Sequence, residues 1–225
     1  MSLALKALLL RRSFGLLLVV ALVLGTSAVA IGGVPHQKDS NEPFKYFGDA
    51  SDAVDPQNAD NDVIKVDTAT HPDVASGVVR KMNESVAQVT DQVELKYLFT
   101  DGRTDCSAGS PRIDLFVDTN GDKRWDTLLN GYVQALGSPN GHCTAGQWQF
   151  VDLANLGDTT PHWGVNNGGT YRPWSSIVAQ YGTAQVIAGQ LVDDSQAFST
   201  ADRGTAYYDL LSIGNRTFEK ADDAG

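Results

Sequence analysis

The sequence predicts an all-β protein, an antiparallel sandwich with little helix. Three observations carry that expectation. Apolar and polar residues alternate with a period of two over several short segments. Asn-Gly pairs recur at 120–121, 130–131, 140–141 and 167–168, the first three ten residues apart. Stretches with the helical spacing of three and four are scarce. A period of two marks a strand with one buried face. Asn-Gly favours the positive backbone angles of tight hairpins, and strands punctuated every 8–12 residues point to a sandwich or barrel.

Residues 1–30 stand apart from the rest. Lys6, Arg11 and Arg12 give a basic start without an acidic residue, and an apolar run from Phe14 to Leu24 follows. That run is shorter than the roughly 20 residues a membrane helix needs. Ala28-Val29-Ala30 fits the small-x-small pattern of a signal-peptidase site, so a cleaved signal peptide is expected, with an uncleaved anchor as the alternative. Arg11-Arg12-Ser13-Phe14 also resembles a twin-arginine export signal, although Gly15 departs from the hydrophobic residue usual there. The expected location is secreted or cell surface, with no transmembrane anchor after cleavage. Losing three basic residues moves the net charge from −10 to −13. A chain this acidic repels a phosphate backbone, which argues against a nucleic-acid partner.

Residues 31–62 are polar and acidic, with Asp49, Asp52, Asp55, Asp60 and Asp62, and are expected to form a flexible arm or long loop. One sandwich domain is expected over residues 63–219, with a short tail at 220–225. Its strands begin with Val63 to Thr68, then Val93 to Phe99 and Ile113 to Val117. Further strands are expected at Trp148–Leu153, Ala184–Val192 and Ala206–Ile213. Ser175 to Tyr181 reads as a short helix, with Ser175 or Ser176 as its cap and Gly182 as its stop. Val79, Met82, Val86, Val89 and Val93 form a stripe at helical spacing. β-branched valines disfavour a helix, so two strands around a turn are expected, with a two-turn helix near 83–91 as the alternative.

Cys106 and Cys143 are the only cysteines, and export would place them in an oxidising compartment. A disulfide is expected, stabilising by roughly 3–4 kcal/mol through the entropy of the unfolded chain. Free thiols or half of a metal site are the alternatives. No CxxC or HxxxH completes a zinc set.

The sharpest local motif is Asp118-Thr-Asn120-Gly-Asp122-Lys-Arg-Trp-Asp126. Asp118, Asn120, Asp122 and Asp126 occupy oxygen-donor positions of an EF-hand-type loop, which nominates calcium as a structural cofactor. Lys123 replaces the glycine of the turn and Leu129 the terminal glutamate, so a full EF-hand is excluded; a hairpin with solvated polar residues is the competing reading. Trp163, Tyr171 and Trp174 surround an Asn/Gly loop and are the expected ligand-binding aromatics; Trp148 is expected in the core. No catalytic constellation is visible. His36, His71, His142 and His162 lack partners at a telling spacing, and Asp193-Asp194, pointing to opposite faces, read as solvated turn residues. Asn83-Glu-Ser85 and Asn215-Arg-Thr217 are glycosylation sequons.

Cys106 leads into Gly109-Ser-Pro-Arg-Ile113 and then Asp118-Thr-Asn-Gly-Asp122. Later, Leu191-Val-Asp-Asp-Ser195 precedes Gly204-Thr-Ala-Tyr-Tyr-Asp-Leu-Leu-Ser-Ile-Gly214. This order resembles the secreted jelly-roll sandwiches of the galactose-binding and carbohydrate-binding-module kind, over roughly residues 60–218. The resemblance implies a jelly roll, often with structural calcium, and a non-catalytic role with extracellular carbohydrate as partner. It would make Asp209 a calcium ligand. A hydrolase with an unidentified site and a structural or adhesive envelope component are the other function classes.

Overall fold

The computed structural model describes residues 43–67, 75–89, 92–101, 103, 111–133, 144–155, 161–194 and 204–218. All lie within one unit, Gln37–Gly225. The expected signal peptide, the tail and both cysteines fall outside the described residues, as do His36, His71, His142 and the Asn140-Gly141 pair.

Among the described residues twelve strands form two antiparallel sheets. In chain order they are β1 (Lys45–Phe47), β2 (Ala50–Asp55), β3 (Asn58–Asp67), β4 (Ser76–Ser85), β5 (Val93–Thr100), β6 (Arg112–Asp118), β7 (Thr127–Tyr132) and β8 (Gln149–Asp152). There follow β9 (Trp163–Val165), β10 (Gly168–Arg172), the helix α1 (Trp174–Tyr181), β11 (Gln185–Asp193) and β12 (Thr205–Ile213). The seven-stranded sheet runs β1-β4-β11-β6-β7-β9-β10, and the five-stranded sheet β2-β3-β12-β5-β8. Within them, β4-β11-β6-β7 and β3-β12-β5-β8 are the two halves of a jelly roll, with the chain crossing repeatedly between the sheets.

Alternation along the strands decides what lies between the sheets. Ile113, Leu115 and Val117 of β6 point inward, and Leu95, Tyr97 and Phe99 of β5 meet them from the other side. Each fully buried aliphatic side chain of this kind contributes about 1.5–3 kcal/mol. Gly189 lets the sheets approach closely, since a Cβ there would lie 2.5 Å from Ile213 and 2.8 Å from the Met82 sulfur.

Several expectations need correction. Residues 45–62 are no loose arm: β1, β2 and the start of β3 occupy them, anchored by Phe44 in the core against Phe218. Asn130-Gly131 is no turn. It lies in the middle of β7, where Gly131 leaves room for the Trp163 indole, 2.7 Å from where a Cβ would stand. The hairpin turn near 167 is Asn166-Asn167, both with positive φ, joining β9 to β10. The valine stripe, by contrast, forms two strands around a turn as expected: the end of β4, one 3-10 turn at Val86–Val89 that buries both valines, and the start of β5. Pro173, not a serine, stands at the start of α1, where its fixed φ suits the entry and no side-chain cap bond is made.

Candidate functional site

The β6–β7 connection closes on itself. Asp118 Oδ1 accepts the N–H groups of Asn120 (3.0 Å) and Gly121 (2.6 Å), and Oδ2 accepts that of Lys123 (2.8 Å). Asn120 Oδ1 accepts the Asp122 N–H, and Asp122 Oδ1 that of Arg124. Asp126 accepts the Thr119 hydroxyl at 2.7 Å. Lys123 adopts φ +66°, taking the left-handed conformation for which a glycine was expected. Burial of Asp118 works to raise its pKa, yet the loop's N–H groups outweigh it and hold the carboxyl below its ordinary value. Calcium needs six to eight oxygens converging on one point. Among the described residues no group of three or more His, Cys, Asp or Glu is placed to hold a metal ion together.

The three predicted ligand aromatics separate. Trp163 is 0 % exposed, and its indole N–H donates to the Leu153 carbonyl at 2.9 Å. Trp174 packs against it with ring centroids 4.4 Å apart and is also buried. Both therefore belong to the core, in place of the expected surface platform, because the Asn166-Asn167 hairpin is too short to hold them out. Tyr171 differs: it is half-buried, with its ring 5.0 Å from Tyr132, a residue on the outer side of the seven-stranded sheet.

That outer face carries a row of chemistry along β6. Arg112, Asp114, Phe116 and Asp118 alternate with the core residues. Asp114 accepts from Arg112 Nε (3.1 Å), Asn130 Nδ2 (2.7 Å) and Gln190 Nε2 (3.2 Å), its neighbours on three strands. Burial pushes its carboxyl above the ordinary carboxylate range, against the pull of Arg112 and the two amides. Arg112 also donates to Asp194 at 2.7 Å. Asn130 and Asn167 exchange two hydrogen bonds, which fasten the β9–β10 turn to this row. Beside it, Phe116 holds the indole of Trp125 edge-on at 5.6 Å, and Trp125 remains 54 % exposed. At the far end of β6 a cavity of about 400 Å³ opens between the Asp118 loop, the end of α1 and the start of β11.

The outer face of the five-stranded sheet holds a second cluster. Trp148, expected in the core, is half-exposed there; its indole N–H donates to Asp55 at 3.2 Å, and Lys96 Nζ lies 4.7 Å from its ring centre. Asp209 accepts from Asn61 and pairs with Lys96 at 3.7 Å, so its carboxylate serves a salt bridge and an amide. Asp193 and Asp194 do lie in separate networks, but Asp193 is no solvated turn residue. It ends β11 inside the protein, bonded to Arg103 and Tyr208. His162 is buried with Nδ1 2.7 Å from the Tyr132 carbonyl oxygen.

Sequence reasoning missed Arg112, Asp114, Tyr132 and Trp125. The available signal for Trp125 was its place in a charged loop, where no strand could draw it inward. No protein-family model matches the chain, and neither a curated protein nor a solved structure matches it significantly. No helix among the described residues is long and apolar enough to cross a membrane.

Proposed function

We propose that the chain is an exported, non-catalytic carbohydrate-binding protein of the galactose-binding or carbohydrate-binding-module type, acting in the secreted or cell-surface space. The observation that carries this reading is the half-exposed Trp125 indole, braced by Phe116, beside a row of amide, guanidinium and phenol groups. Such a ring offers an apolar plate for a pyranose face. The basic, apolar and small-residue sections of residues 1–30 support export.

A hydrolytic role fits less well. Asp114 is the carboxyl most disposed to hold a proton, but both its oxygens accept hydrogen bonds from neighbouring side chains. It has no free edge with which to act on a glycosidic oxygen.

The test is a glycan array with the exported protein and with Trp125→Ala. Removing an exposed ring should leave the circular dichroism spectrum unchanged. It should weaken glycan binding about tenfold, the equivalent of roughly 1.4 kcal/mol. No bound glycan, or equal binding by Trp125→Ala, would sink the reading.

A further inference from the structure

The cavity at the end of β6 has features of its own. Its volume, about 400 Å³, is in the range of small-ligand sites. Its wall includes Asp118, Thr127, Gln180, Tyr181, Thr183 and Gln185, and among the described residues no Lys, Arg or His lines it. Several of these groups have unused hydrogen-bonding capacity. The Gln185 amide nitrogen is buried without an acceptor, so re-aiming that side chain would break no hydrogen bond. Gln180 donates to the Tyr181 oxygen at 3.0 Å, which leaves the phenol proton for another acceptor. Arg172 donates to the Gln180 carbonyl oxygen, orienting that amide. Among the described residues Asp118 is the only ionisable carboxyl on the wall, and its oxygens accept the loop's N–H groups.

A wall of amides, hydroxyls and one phenol, with a negative charge and no positive one, selects by chemistry. It offers donors and acceptors to hydroxyl groups and no counter-charge to an acid. We infer that this cavity is a subsite for one neutral, hydroxyl-rich sugar residue, not for a uronic acid or a sulfated sugar. The inference rests on the carbohydrate reading and deepens it. The loop that carries Trp125 also forms part of the cavity wall, through Thr119 and Gly121.

The experiment is a titration of the full exported chain, with backbone amide shifts read by NMR. The probes are glucose, galactose, mannose and N-acetylglucosamine, with glucuronate as the acidic control. Saturable shifts at Thr127, Thr183 and Gln185 with one or more neutral sugars, and at least tenfold weaker binding of glucuronate, are expected. Gln185→Leu should weaken that binding about tenfold. If Gln185→Leu unfolds, Thr183→Val at the exposed rim replaces it, with about a threefold loss expected. Glucuronate binding as tightly as the neutral sugars overturns the proposed selectivity. Array glycans that shift only Trp125 and its neighbours overturn the cavity subsite while the carbohydrate reading stands. No saccharide bound in either assay removes both.

Discussion

Asp193 and Asp194 are adjacent, and the two sides of the seven-stranded sheet divide them. Asp193 lies on the inner side at 0 % exposure, where Arg103 and Tyr208 both reach the same carboxylate oxygen at 2.5 Å. The Arg103 guanidinium stacks over Phe99 at 3.9 Å. Asp194 belongs to the outer side, keeps partial contact with solvent and accepts a hydrogen bond from Arg112. The inner network is enclosed by the core and any loss there strands a charge. The outer network is spread over several amides and is partly wetted at Arg112 and Asp194, so it tolerates change. Two ion pairs one residue apart thus serve different ends: one fixes the interior, the other furnishes a surface.

The comparison is broken most severely from inside. Arg103→Met should cost about 3–5 kcal/mol in urea unfolding, because it removes the Arg103 charge from a buried Asp193. Adding Asp193→Leu should restore much of that loss. A cost under about 1 kcal/mol for Arg103→Met would mean that the inner pair is not enclosed as described. Arg112→Ala should cost about 2 kcal/mol, since Asp114 keeps its two amide donors. Equal losses for the two arginines would erase the distinction between the faces.

The two carboxyls of β6 sharpen it further, because they titrate with opposite sign. Asp114 has its pKa raised in the fold, chiefly by burial, so its ionised form costs stability at neutral pH. That cost should be relieved as pH falls through the folded value and be gone below about 3.9, the ordinary aspartate value. Asp118 has its pKa lowered, so its contribution is present above about 3.9 and is lost as pH falls through its folded value. Unfolding free energies measured from pH 7 to pH 3 check both. Asp114→Asn should remove a stability gain on acidification, and Asp118→Asn should remove a loss; the reverse pattern would contradict the burial of Asp114 and the hydrogen bonds assigned to Asp118.

The smallest expected effect is that of chelation. The β6–β7 loop is held by its own N–H groups, so EDTA should leave the melting temperature unchanged. A fall of several degrees would instead establish a structural calcium ion at Asp118, Asn120, Asp122 and Asp126.

Much of the architecture was legible because alternation is a local property. The segments around Val63, Val93, Ile113 and Ala206 became β3, β5, β6 and β12 with their apolar residues inward. Asn-Gly was a poorer guide: at 130–131 the glycine answers to the Trp163 ring across the sheet, a contact that no neighbouring residue announces. The aromatics were the least legible. Trp163 and Trp148 both stand near glycines and amides, yet one fills the core and the other lies half-exposed beside Lys96.

By itself the sequence determined the strand rhythm, the acidity and the export-like start, since each depends only on residue type and spacing. The tertiary structure alone decided which polar side chains meet. Arg112, Asp114, Asn130, Gln190 and Asp194 come from three strands and the end of one of them, separated by as many as 82 positions, and only sheet register brings them into one row. Register is a long-range outcome of packing two apolar faces together, so the outer face inherits its chemistry from decisions made in the core.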